Sequence, residues 1–337
     1  MKLSIYLFFS FLLVIFEVAG QQRPQYTQYI FNNFLINPAI SGIENYADLK
    51  LGHRQQWVGI EGAPRTSFIS AHWKLGEAYL WKNALSLPEN DDNPMSRNYM
   101  QNYTASPAHH GMGLVAVYDE AGPISRLDAS LTYAYHLQLG EQMNLSVGVA
   151  AGVSRIALDI HALNFQDAND GAIRNAWISQ LKPDLGFGVW LYGCRFFAGA
   201  SVQQVLPQQL KFTSEPMYNT GKNVAHYFVT AGYRLFLDED ITLTPSVMLK
   251  RVSPTPLSID ANLKMAFKDR IWIGGGYRRN DSFSALAGIN VSKLLNLTYS
   301  YDFITSELSQ VSNGTHEIVL GIQLNNVYEV MSKTKMW

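Results

Sequence analysis

The chain is poor in four features, and each shortage narrows what it can be. It has one cysteine, Cys194, in 337 residues. A lone thiol cannot close an internal disulfide, so it reads as a small packing side chain and not as part of a disulfide framework. Charged residues make up only 16% of the chain, against about 25% in soluble domains. The net charge of −1 offers no basic face, which argues against nucleic acid as a partner. Beyond the N-terminus, no stretch stays apolar over the roughly 20 residues that a membrane helix needs.

The N-terminus does carry an apolar run. Met1-Lys2 is followed by apolar residues from Leu3 to Phe16, and Val18-Ala19-Gly20 supplies small residues ahead of Gln21. A short basic start, an apolar stretch and a small-residue site predict a secretory signal peptide over 1–20. The run is short for a membrane anchor.

In the rest of the chain the dominant pattern is alternation. In Asn296–Phe303, Leu297, Tyr299, Tyr301 and Phe303 share one face of an extended strand, and Asn296, Thr298, Ser300 and Asp302 share the other. Leu127 to Leu139, Met143 to Val153, Tyr227 to Leu237, Ile241 to Leu249 and Ile318 to Leu324 repeat the pattern. Segments of about ten residues with a period of two, divided by turns, are the signature of a membrane barrel. A soluble sandwich alternates too, but its outer faces usually carry charge. Here the polar faces are mostly Ser, Thr, Asn, Gln and Gly, and the pairs Tyr133/Tyr135 and Tyr299/Tyr301 suit an interfacial aromatic girdle. The expectation is therefore an all-β, transmembrane, antiparallel up-and-down β-barrel. It would have about fourteen strands over 46–325, an even count as in bacterial single-chain barrels.

The connections agree with this layout. With the first strand running outward, the tight turns at 139–141, 192–194, 237–240, 267–270 and 292–293 fall on the periplasmic side. The long connections 158–182, 206–224 and 304–314 fall outside, as expected of such barrels. Residues 77–107 break the rule. They form a long periplasmic insertion with the breaker-rich run Pro88–Pro94, and a short helix is expected near 77–86. Residues 21–45 are expected to form a periplasmic N-terminal segment, and 326–337 a tail. Tyr, Phe and Ile are frequent in 22–40, so a lumen plug or a contact with periplasmic machinery stands beside a simple polar lead-in as readings of that stretch.

Catalytic and cofactor signals are weak. His72, His109 and His110 fit no zinc spacing, and there is no Gly-x-Ser-x-Gly elbow. Gly274-Gly275-Gly276 lies in a strand pattern with no helix after it, so it is not a phosphate loop. No catalytic residue, metal site or cofactor is assigned.

One ordered set of short motifs remains. Gln25, Tyr26, Gln28 and Tyr29 come first, followed by Asn37-Pro38, Arg54, Trp57-x-Gly59 and Pro64. Tyr301-Asp302 and His316-Glu317 close the series. Together these resemble the PorP/SprF family of type IX secretion proteins of Bacteroidetes. The resemblance implies a non-enzymatic outer-membrane protein of the secretion and gliding system. Its partners would be the outer-membrane bilayer, other type IX secretion components and the C-terminal domain of a large secreted adhesin, which it would dock. The long outer connections would present that surface, with Phe165, Trp177, Phe212 and Tyr218 as aromatic anchors. The alternative is a small-solute porin or transporter, with inward Arg234, Lys250 and Arg278 setting selectivity. The strand register also predicts that Tyr233→Arg harms folding into lipid far more than Thr230→Arg.

Overall fold

The computed structural model describes residues 27–76, 105–159, 179–206, 208–210, 221–238, 240–268, 270–292 and 294–326. Fourteen strands form a closed wall. They are β1 (Ala47–Gln55), β2 (Arg65–Leu75), β3 (His109–Ala121), β4 (Ile124–Gly140), β5 (Met143–Leu158), β6 (Ser179–Gly193) and β7 (Phe196–Gln203). Next come β8 (His226–Tyr233, resuming at Leu235–Phe236), β9 (Ile241–Val252), β10 (Ser258–Phe267) and β11 (Ile271–Arg278). The last three are β12 (Ser282–Asn290), β13 (Leu295–Ile304) and β14 (Thr315–Leu324). A small hairpin, Gln208–Leu210 with Gly221–Asn223, stands apart from the wall.

Each strand pairs antiparallel with its sequence neighbours. Closure comes from β1 against β14, in register from Ala47↔Leu324 to Gln55↔His316. A closed sheet leaves no unpaired edge, which is what a bilayer demands of strands. The barrel has a turn end, where β1 starts and β14 finishes, and a loop end, where residues 159–178 and 204–225 connect strands.

The alternation resolves into two faces. Leu131, Val147, Val149, Val229, Ile273 and Ile318 point outward and are exposed, as lipid-facing residues should be. Aromatic residues mark both rims. At the turn end the Tyr133 hydroxyl lies 2.6 Å from His110 Nδ1, and at the loop end the Tyr299 hydroxyl lies 2.7 Å from His316 Nδ1.

The inner face is not lined by water alone. Residues 27–44 are buried throughout and fold as three single 3-10 turns, Thr27–Ile30, Asn33–Leu35 and Pro38–Ile40. The third turn is set locally: Asn37 Oδ1 accepts from the Ala39 N–H at 3.0 Å, with Pro38 following it. Residues 27–44 of the N-terminal segment 21–45 thus lie in the lumen, as in the plug reading of that stretch. The physical reason is its aromatic and aliphatic content. Tyr29, Ile30, Phe31, Phe34, Leu35, Ile36 and Ile40 all gain by leaving water. Most of the insertion 77–107, including the expected helix, and the tail beyond Asn326 lie outside the described residues.

Candidate functional site

The candidate site is the lumen itself, as filled by this plug. The plug begins at the loop end beside β1, β13 and β14 and ends at the turn end, where Tyr46 leads into β1. Its short turns leave many backbone carbonyls without a helical partner, and buried carbonyls need one. Polar side chains of the wall supply it. Lys50 Nζ donates to the Phe31 carbonyl (2.8 Å), Gln203 Nε2 to Leu35 (2.9 Å), Ser201 Oγ to Ile36 (2.6 Å) and Ser146 Oγ to Ala39 (2.6 Å). This accounts for a lumen face rich in small polar residues.

Two wall glycines allow the plug backbone to touch the sheet. A Cβ at Gly111 would lie 1.9 Å from the Ser41 carbonyl oxygen, and one at Gly148 would lie 2.5 Å from the Ala39 Cα. Only glycine tolerates such an approach. Between the polar seats, apolar side chains meet the wall. Phe31 stacks on Trp272 at 5.9 Å, and Tyr29, Ile30 and Ile36 cluster with Phe228 and Met248.

At the loop end the first described residues are held by charge. Arg54 Nη1 donates to Glu317 Oε2 at 2.8 Å and to Thr27 Oγ1 at 2.7 Å, and Nη2 donates to Asp302 Oδ2 at 2.8 Å. The Thr27 N–H donates to Glu317 Oε2 (2.9 Å) and its hydroxyl to Asp302 Oδ2 (2.6 Å). One guanidinium bridges the two buried carboxyl groups, and the Thr27 N–H and hydroxyl add a hydrogen bond to each. Gln28 adds a bond to the Glu317 carbonyl (2.8 Å) and a short one with Thr298.

At the turn end the plug is held by imidazoles. Gly42 N–H donates to His72 Nδ1 at 3.3 Å. The Gly42 carbonyl lies 3.1 Å from His109 Nε2, and the Ser41 carbonyl 2.8 Å from His136 Nε2. The other His136 nitrogen faces the Tyr192 hydroxyl at 2.8 Å. His109 and His136 stack in parallel, 4.4 Å apart.

Above the plug, in the loop-end half of the lumen, lies a vestibule. The space in it open to a water-sized molecule is about 60 Å³. Phe34, Leu35 and Ile36 of the plug and Val117, Phe228 and Met248 of the wall give it an apolar lining; Asp184, Lys250, Asp260 and Arg278 also border it.

The motif residues divide sharply. Gln28, Arg54, Asp302 and Glu317, remote in sequence, meet in the loop-end clasp. Asn37 and Pro38 form the third turn, where Asn37 Nδ2 donates to the Val189 carbonyl at 3.0 Å. The Tyr29 hydroxyl accepts from Asn262 Nδ2 at 2.7 Å. Trp57 (φ 46°) and Gly59 (φ 102°) shape the β1–β2 connection, and the Pro64 carbonyl accepts from the Gln56 N–H at 2.9 Å. Tyr301 faces outward, with His316 4.9 Å from its ring. Gln25 and Tyr26 lie outside the described residues, as do the four candidate anchors Phe165, Trp177, Phe212 and Tyr218. Arg234, Lys250 and Arg278 do point inward, but all three are buried. Arg278 is tied to Asp260 (2.9 Å) and Asp281 (3.1 Å). The sequence does not single out Ser146, Ser201 and Gln203 as site residues. Their inward parity was readable, but nothing local says that a plug carbonyl sits opposite.

Among the described residues, no group of three or more His, Cys, Asp or Glu is placed to hold a metal ion.

Comparison with known proteins agrees with this architecture. The toluene transporter TbuX of Ralstonia pickettii shares the fold at a TM-score of 0.50 and 10% identity, over 87% of this chain and 93% of that one. The outer membrane protein Omp33 of Acinetobacter baumannii matches at a TM-score of 0.44 and 6% identity, over 84% and 100%. No curated protein matches. A family model described as type IX secretion system membrane protein PorP/SprF matches residues 18–322. That span takes in the plug, the clasp and all but the last two residues of the wall, and the chain belongs to the PorP/SprF family of type IX secretion system membrane proteins.

Proposed function

We propose that this barrel is a docking platform, not a conduit. In this reading a signal peptide over 1–20 is cleaved on export. The turn end faces the periplasm and the loop end the cell surface, following the rule of short periplasmic turns and longer outer loops. At the loop end the barrel receives the C-terminal domain of a large exported adhesin and keeps it at the surface, as part of the type IX secretion and gliding system. No catalytic step is assigned to it.

The observation that carries this reading is the plug. Residues 27–44 are hydrogen-bonded to the wall, or share an apolar cluster with it, around its circumference. A porin needs a water-filled lumen. Here the inward cations that would tune selectivity are buried, and Arg278 is neutralised by neighbouring carboxylates. The test has two parts. Purified protein in planar bilayers is expected to show no steady conductance. The adhesin is expected to co-purify from native outer membranes. A stable ohmic conductance, with no exported polypeptide retained, favours the porin instead.

A further inference from the structure

We infer that the outer wall at the loop end carries a binding site for a lipid phosphate, formed by His53, Arg65 and His316 around Gln55. The site lies on the bilayer side of β14, β1 and β2. It is separate from the lumen and does not depend on what the barrel docks.

The first observation is register. On β1, His53 and Gln55 face away from the lumen, while Arg54 between them is buried in the clasp. Gln55 lies directly opposite His316 on β14 and Arg65 on β2. His53, two residues earlier, is the diagonal neighbour of both. Such neighbours lie about 7–8 Å apart and are within reach of long side chains. Three nitrogen-bearing side chains thus ring one amide on an outward surface, and His53 and Arg65 are exposed.

The second observation is how the rings are held. The Ser67 hydroxyl lies 2.9 Å from His53 Nδ1, and the Tyr299 hydroxyl 2.7 Å from His316 Nδ1. In each ring a hydroxyl engages Nδ1 and leaves Nε2 for a further partner. When the hydroxyl donates to Nδ1, the ring proton sits on Nε2, so even a neutral imidazole is a donor there. The Arg65 guanidinium adds a permanent charge and a fork of N–H groups that matches phosphate oxygens.

The third observation is depth. Tyr301 lies opposite His316 with its ring 4.9 Å away, Tyr299 holds the same imidazole, and Tyr118 lies opposite Ser67. Outward tyrosines mark the headgroup level of a membrane barrel. At that level the wall meets lipid headgroups, and their phosphate has the charge and the acceptor oxygens that these donors fit. Tyr301 and His316 belong to the motif set, yet they face away from the plug, which therefore accounts for neither. Other outward basic residues lack such company. Arg155 stands between Leu127 and Leu181, Arg251 beside Tyr227, and His110 opposite Leu75 and Tyr135. Glu120, opposite Arg65 on β3, is the carboxylate of the row and works against an anion.

The test uses full-length protein purified from outer membranes and mixed with diphosphorylated lipid A, with the same lipid stripped of its phosphates, or with inorganic phosphate. Native mass spectrometry reads the lipid that stays bound. The phosphorylated lipid is expected to bind more tightly than the stripped one and to resist displacement by inorganic phosphate. Arg65→Gln is expected to weaken it about fivefold, the worth of one basic residue at a charged bilayer surface. The double variant His53→Gln/His316→Gln should weaken it too, Glu120→Gln should strengthen it, and Arg155→Gln should leave it unchanged. Heat-modifiable gel migration verifies that each variant is folded. Equal binding of the two lipids would overturn the inference, as would equal losses from Arg65→Gln and Arg155→Gln, which would mean surface charge without a site. Displacement by inorganic phosphate would overturn it in favour of a soluble anion. Each of these results leaves the docking reading standing.

Discussion

The two ends of the lumen hold the same plug by different chemistry. At the loop end, Arg54, Asp302 and Glu317 gather around Thr27, all of them buried. At the turn end, His72, His109 and His136 gather around Ser41 and Gly42. The first arrangement concentrates charge, so it is strong when complete and costly when one member is lost. The second is built from ring nitrogens facing backbone groups, and its parts are worth about 1 kcal/mol each. The difference follows from continuity of the chain. At the turn end the plug runs directly into β1, so it is already tethered by the backbone and needs little more. At the loop end the noncovalent clasp has to hold the plug residues that lie farthest in sequence from β1.

The sharpest way to break this comparison is Arg54→Ala. It leaves Asp302 and Glu317 buried without their cation, and the expected loss is about 3–5 kcal/mol, read as urea-induced unfolding from lipid bilayers. His136→Ala removes one partner each from the Ser41 carbonyl and the Tyr192 hydroxyl. Its expected loss is smaller, about 1–3 kcal/mol. Equal losses would mean that the ends are held alike and that the buried charge at the loop end is not special.

The wall gives a second contrast, between its faces. Arg at the lipid-facing midplane costs about 2–4 kcal/mol, and near the interfaces about 0–1. Val229 lies mid-strand in β8 and is exposed, whereas Tyr233 lies at the strand's turn end. Val229→Arg is therefore the disruptive variant, and Tyr233→Arg the mild one. Thr230→Arg is no tolerant control either, because Thr230 is only 3% exposed and an arginine there has to enter a packed interior. The register read from the sequence was right. What it missed was depth along the strand and occupancy of the lumen. A fluorescence-monitored folding assay into lipid should rank Val229→Arg well below Tyr233→Arg.

Legibility followed the range of the interactions. Alternation is local, so strand faces, turn positions and the even strand count could be read from residues such as Leu297, Thr298, Tyr299 and Ser300. The plug is not local. Ser201 faces Ile36 across 165 positions of sequence, and Thr27 faces Glu317 across 290. No periodicity announces such a pairing. The available hint was compositional: Tyr29, Phe31, Phe34 and Ile36 are too apolar for a solvated lead-in, which left plug and lead-in both open. The motif set carried more than its strand positions suggested. Arg54, Asp302 and Glu317 converge on a single threonine, which no spacing rule connects.

The finest comparison lies between neighbouring plug carbonyls. Ile36 is held by Ser201, which is buried, and Leu35 by Gln203, which is half-buried and borders the vestibule. Ser201→Ala leaves a carbonyl where water has no ready path, so the loss should be about 1–2 kcal/mol. Gln203→Ala leaves one beside the vestibule, where a water molecule can replace the amide nearly as well. Its loss should stay under about 0.5 kcal/mol. Paired urea-unfolding curves of the two variants measure the gap. If Gln203→Ala costs as much as Ser201→Ala, the Leu35 carbonyl is as dry as that of Ile36. The vestibule would then be closed to water above the plug.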